Sequence, residues 1–181
     1  MKLRLFILCI LVAVAGSVAG QHLTQKNYQK KALPRNLVAV GKGLYSDKRP
    51  ITNLDWREYL YWLEQTYGKE SSQFRAALPD EAILRQQMPD SIATYYLWQP
   101  AYNGFTVLGV TPEQARAYCQ WRTDRVAEYI LVCMRIRKWN TDAPFFLADY
   151  DNSKNLQFLY FFLPKEDMET QYGFFCFAEW R

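Results

Sequence analysis

The sequence predicts an α+β domain in which two main helices pack on a small antiparallel sheet. Two stretches, 52–68 and 111 onward, place apolar residues at helical spacing behind a capping signal. The final third changes to short aromatic segments separated by polar turns, the pattern of strands. The roughly 160 residues that follow the N-terminal segment are enough for one domain with one core.

Lys2 and Arg4 precede an apolar run from Leu5 to Ala15, and small residues follow at Ser17, Val18, Ala19 and Gly20. This pattern predicts a secretory signal peptide over 1–20. The run is shorter than the roughly 20 residues of a spanning helix, so no membrane span is expected after its removal. Cys9 lies inside the run rather than at a cleavage point, which argues against a lipid anchor. An exported protein, periplasmic or extracellular, is the expectation. Residues 21–36 are polar and aperiodic and read as a flexible lead-in, leaving 37–181 as the domain.

The formal charge is +4, of which Lys2 and Arg4 supply two, and acids are interspersed with bases. No basic stripe marks a nucleic-acid partner. Leu37 to Val40 reads as a short strand followed by a turn at Gly41 and Gly43. A phosphate loop would need a longer glycine pattern closing on Lys-Ser or Lys-Thr.

The first helix begins at Thr52 or Asn53. Trp56, Tyr59, Leu60, Leu63 and Tyr67 form its buried stripe, and Gly68 ends it. Residues 69–104 are irregular apart from a short helix over Asp80 to Gln87. This stretch carries Tyr95, Tyr96, Trp98 and Tyr102, which are expected to close over the core. Stacking on a glycan is their alternative role and makes them the candidate binding surface.

In "GVTPEQARAYCQWRTDRV" Thr111 supplies an N-cap, Pro112 the first helical position, Glu113 an acid near the positive helix end and Gln114 a capping-box partner. Ala115, Tyr118, Cys119, Val126, Tyr129, Ile130 and Cys133 then follow at helical spacing, with Arg116 and Arg122 directed to the edge. Three cysteines lie beyond residue 20: Cys119, Cys133 and Cys176. On one continuous helix, Cys119 and Cys133 are about 21 Å apart, beyond disulfide reach. An intrachain bridge would therefore use Cys176; an intermolecular bond and buried reduced thiols are the other readings. A nucleophilic cysteine needs an electropositive, accessible setting or a nearby base. The one histidine is His22, in the lead-in, so Cys119 reads as a packing residue.

"PFFLADY", "NLQFLYFFLP" and "YGFFCFAEWR" read as an antiparallel meander whose middle strand, apolar on both faces, should be central. Asp149, Asp151, Ser153 and Asn155 alternate as at the start of a calcium loop. Lys154 and Tyr160 stand where such a loop needs glycine and an acid, so a hairpin turn is the expectation.

"ITNLDWREYLYWL", "YYLWQPAYNGFTVLGVTPEQARAYCQWRTDRV" and "FFLPKEDMETQ" together resemble the formylglycine-generating, or sulfatase-modifying factor, family. The resemblance is to its Bacteroidetes branch in particular, which includes gliding and type IX secretion components. The family's motifs read like "VTNAEYREFV", "HPAYDDYPVVGVSWEQAKAYCAWRT" and "RLPTEAEWE"; the third is matched here by Leu163, Pro164, Glu166 and Met168. The resemblance spans about 37–181 and implies a reduced form of the family's C-type-lectin-like fold. The family's catalytic half normally follows the third motif, whereas about 13 residues follow Met168 here. The copper-binding cysteine pair and the iron-binding histidines carried by that half have no counterpart, and Cys119 matches a non-catalytic position. The resemblance therefore implies no catalytic, cofactor-binding or metal-binding residues. The expected function is that of an exported, non-catalytic module with a structural or protein-binding role in the cell envelope, its partner an envelope protein or a second copy. A formylglycine-generating-type oxidoreductase and a lectin-like glycan binder are the alternatives.

Overall fold

A computed structural model describes residues 36–133, 143–149, 158–161 and 173–180, all within one compact unit, Leu33–Arg181. The signal peptide and nearly all of the lead-in expected from the sequence lie outside the described residues, as does the third motif from Leu163 to Met168. So do Asp151, Ser153 and Asn155.

The elements run β1 (Leu37–Ala39), β2 (Leu44–Asp47), α1 (Asn53–Tyr67), α2 (Ser72–Ala76), α3 (Glu81–Gln87), α4 (Asp90–Ala93), α5 (Pro112–Cys133), β3 (Phe158–Phe161) and β4 (Phe177–Trp180). The class is α+β, with an antiparallel sheet of order β1-β2-β4-β3. No helix among the described residues is long and apolar enough to cross a membrane.

The glycine turn predicted after β1 closes a hairpin. Gly43 adopts φ 76°, a left-handed conformation that suits a residue without Cβ, and β2 returns alongside β1. This returning strand was not anticipated, and it displaces the expected sheet order. β4 lies between β2 and β3, so the middle aromatic segment, expected to be central, is an edge strand among the described residues. In the described part of "PFFLADY", 144–149, no residue joins the sheet, and a 3-10 turn spans Leu147–Asp149. Two of its backbone groups pair with α5 side chains: Asp124 accepts from the Leu147 N–H at 3.0 Å, and Arg125 donates to the Phe145 carbonyl. A segment paired in this way needs no neighbouring strand.

α1 starts where the sequence places it. Thr52 Oγ1 accepts from the Asp55 N–H, and Asp55 accepts from the Thr52 N–H at 2.9 Å, a reciprocal capping box. Trp56, Tyr59, Leu60 and Leu63 are buried as expected, whereas Tyr67, in the last position, is exposed. Asn53 is fully buried and donates its amide to the carbonyls of Tyr96 and Tyr102, each at 3.0 Å. One side chain at the helix start thus fixes the course of the 94–102 loop.

Burial raises the Asp55 carboxyl, but hydrogen bonds from Thr52 and Arg49 outweigh it and hold the group below its ordinary value. A carboxyl depressed in the fold contributes stability above its unfolded pKa and loses it as pH falls through the folded one. Asp55→Asn should therefore be less stable than wild type at neutral pH, and the gap should close below about pH 4. Urea midpoints measured across pH check this; a gap independent of pH would refute it.

α5 opens on the second predicted capping box. Gln114 N–H donates to Thr111 Oγ1 at 3.2 Å, and Thr111 N–H donates to Gln114 Oε1 at 2.8 Å. The Gln114 amide also donates to the carbonyls of Ala76 and Leu78, at 2.8 and 2.9 Å, tying α5 to the end of α2. Just upstream, Gly109 has φ 73°, and a Cβ there would stand 2.6 Å from the Asp80 carbonyl oxygen. Glycine is required at that crossing.

The buried face of α5 departs from the predicted stripe. Ala115, Tyr118, Cys119 and Ile130 are buried, but Tyr129 is exposed, and Thr123, Asp124, Ala127, Glu128 and Leu131 are buried. Apolar periodicity overlooked Thr123, Asp124 and Glu128 because they are polar. Each has a partner: Thr123 donates to the Cys119 carbonyl at 3.0 Å, and Glu128 accepts from Arg125 at 3.0 Å. The core joins both helices to the sheet through Trp56, Leu60, Val107, Tyr118, Phe174 and Ala178.

Candidate functional site

Cys119 is buried, as the helical phase predicts, but it is not the lone packing side chain expected. It is bonded to Cys176, with the two Cα atoms 6.2 Å apart. α5 brings Cys119 over the segment that leads into β4, and the two sulfurs meet inside the core. Cys133 lies outside this bond.

One turn along α5, Arg122 also departs from expectation. It points inward and holds Asp47 of β2 through two hydrogen bonds of 2.8 Å, with 12% of its side chain exposed against 1% for Asp47. Asp47 Oδ2 additionally accepts from the Cys176 N–H at 3.0 Å. A buried charge persists when it is paired and hydrogen-bonded. Disulfide and ion pair together form one structural clasp between α5, β2 and β4.

The four aromatic residues singled out in the sequence separate into two pairs. Tyr96 is buried and donates to the Thr106 carbonyl at 2.8 Å; its ring lies 5.5 Å from Tyr102, and both close over a small cluster with Leu84 and Ala93. Tyr95 and Trp98 are exposed. Trp98 borders a shallow groove of about 440 Å³ on α1 with Leu54, Tyr61 and Phe74. Arg57 anchors the loop there by donating to the Trp98 carbonyl at 2.9 Å and to Asn103 Oδ1.

A second arrangement of aromatic and polar groups was not found by sequence reasoning. It is a cleft of about 490 Å³ between α1, α2 and the first half of α5, within the range of about 300–1,000 Å³ typical of small-ligand sites. Trp62 is one of its lining residues. Tyr67 and Phe146 meet its ring edge to face, at 5.9 and 6.2 Å, and Trp121 is tilted at 6.4 Å. Trp62 falls off the α1 core stripe, as Trp121 falls off that of α5. Two tryptophans on the flanks of neighbouring helices were the available signal, but nothing local said that the flanks face each other.

The polar groups lining this cleft are the Tyr59 and Tyr67 phenols, the amides of Gln73, Gln114 and Gln120, and two carboxylates, Glu113 and Asp124. Burial, with the Tyr67 phenol nearby, pushes Tyr59 up to about 12. Burial and Asp124 raise Tyr67, so at neutral pH both phenols are protonated donors. Burial raises Asp124 as well, against the Leu147 N–H, the Gln120 amide and Arg125. The Arg125 guanidinium carbon sits 4.9 Å from the Trp62 ring centre and pairs with Glu128. The buried indole N–H of Trp121 has no hydrogen-bond partner among the described residues. No group of three or more His, Cys, Asp or Glu side chains among the described residues could hold a metal ion.

No known protein family, curated protein or solved structure matches this chain.

Proposed function

We propose that the chain is an exported, non-catalytic recognition module of the sulfatase-modifying-factor type, with a structural or protein-binding role in a cell envelope. The Cys119–Cys176 bond carries this reading. Disulfides persist in exported proteins and are scarce in reducing compartments. This one is closed within the core, with Cys119 1% exposed and Cys176 0%, so neither sulfur is presented to a substrate. The exposed Leu54, Tyr61 and Trp98 around the groove on α1 suit contact with an envelope protein or a second copy.

The test is expression with the native N-terminus, followed by fractionation, thiol alkylation and cross-linking in intact cells. The protein should appear in the envelope or outside the cell, with Cys119 and Cys176 alkylated only after reduction. It should cross-link to one envelope protein or to itself, and Tyr61→Ser combined with Trp98→Ser should abolish the adduct. A cytoplasmic protein with both cysteines reduced, or one that converts a peptidyl cysteine to an aldehyde, would overturn the reading.

A further inference from the structure

We propose that the groove on α1 is a docking site for a basic segment of a partner protein, whose lysine or arginine side chains pair with Glu58 and Glu64 and lay their stems on Tyr61 and Trp98. This deepens the protein-binding reading above, on which it rests, by giving the partner its chemistry.

Buried Leu60 and Phe74 line the groove together with the exposed Leu54, Tyr61 and Trp98. Glu58 and Glu64 line it as well, and neither carboxylate has an ion-pair or hydrogen-bond partner among the described residues. Burial, and the Asp55 charge beside it, push the Glu58 carboxyl up, as for an acid with no cation in reach. Tyr61 stands three residues from each of the two along α1, so its ring lies between them on the helix surface. Arg57 is the one cation among the lining residues. Its terminal nitrogens are committed to the Trp98 carbonyl and to Asn103, and its Nε is buried.

These charges select among occupants. An acidic segment would meet Glu58 and Glu64 with like charge and find no cation at liberty. A purely apolar segment would cover Glu64, already half-buried, without pairing it. A second copy packed through the same face would set the same carboxylates against each other, because a two-fold interface is self-complementary. A long cationic side chain meets every requirement. Its methylene stem covers apolar surface while its head reaches a carboxylate, and the cation is attracted to the face of a tyrosine or tryptophan ring.

The experiment titrates the purified, disulfide-bonded protein with an acetylated, amidated peptide carrying two lysines three residues apart among glycine and leucine. Counterparts carry glutamate or norleucine in place of the lysines. Calorimetry and saturation-transfer NMR report binding. The lysine peptide should bind at about millimolar concentration or below, about fivefold or more tightly than either counterpart, and more weakly as salt is raised. A carbodiimide, which condenses a carboxylate with an amine, should join its lysines to Glu58 or Glu64. Glu58→Gln and Glu64→Gln should each weaken binding about two- to fivefold, the worth of one exposed ion pair. Glu81→Gln, which removes an exposed carboxylate on α3, should leave it unchanged. No binding of the lysine peptide, equal or tighter binding of a counterpart, binding unchanged in both glutamine variants at positions 58 and 64, or self-association that Trp98→Ser abolishes would overturn the assignment. If the adduct in intact cells still forms, such a result removes the basic partner and leaves the protein-binding role standing.

Discussion

Replacing Cys119 and Cys176 together with alanine is expected to cost about 4 kcal/mol of stability, the loop-entropy value for a bridge of this span. The two cysteines are 57 residues apart in sequence, so the open chain gains a large loop of freedom. A lone buried cysteine at position 119 would have lost only about 1–2 kcal/mol on truncation, through a small cavity. The size of the loss therefore separates the two roles. Urea denaturation of wild type with and without reductant, beside the double alanine variant, checks it. Reductant should lower the wild-type midpoint and leave that of the variant where it is. A wild-type midpoint unmoved by full reduction would refute the prediction.

Trp56→Ala is expected to cost about 4 kcal/mol, within the range for an aromatic core residue cut to alanine. Trp56 is fully buried and stacks on Tyr118 with ring centres 5.3 Å apart. Tyr59 and Phe174 meet it edge to face at 5.4 and 5.9 Å. Its side chain therefore joins α1, α5 and the approach to β4 at one point. The indole N–H donates to the Ala77 carbonyl at 3.1 Å, so Trp56→Phe should still lose about 1–3 kcal/mol by leaving that carbonyl unpaired. Denaturant titration of both variants tests the order. Equal losses would show that the hydrogen bond contributes nothing, and a loss below about 2 kcal/mol for the alanine variant would place the core elsewhere.

The features legible in the sequence were those whose cause lies within a turn or two of chain. Thr52 and Thr111 could be read as helix starts because a cap needs only a side-chain oxygen and an amide three residues on. The α1 stripe from Trp56 to Leu63 follows from helical period alone. The short α3 follows from Asp80, whose carboxylate accepts from the Ala82 N–H at 2.8 Å. The turn at Gly41 and Gly43 follows from glycine's backbone freedom. Of the candidate binding surface, closure over the core was legible for Tyr96 and Tyr102, while the outward course of Tyr95 and Trp98 was not.

Local sequence thus dictated the two main helices and α3, the caps at Thr52 and Thr111, the buried stripe of α1 and the α+β class, whereas α2 and α4, within a stretch expected to be irregular, and the buried Ala127 and Leu131 of α5 were not read from it. Only the tertiary structure decided which cysteine Cys119 meets, that β2 rather than the 144–149 segment joins the sheet, and that Arg122 turns inward to Asp47. It alone decided that Asp124 and Glu128 are buried, and that Trp62 and Trp121 face one cleft. The partners in these contacts lie far apart in the chain: 57 residues for the disulfide, 75 for Arg122 and Asp47, 129 for the Cys176 amide and Asp47. A polar side chain reads as solvated until the group that pairs with it is known, and that group is supplied by how the helices and strands pack, not by any window of residues around it.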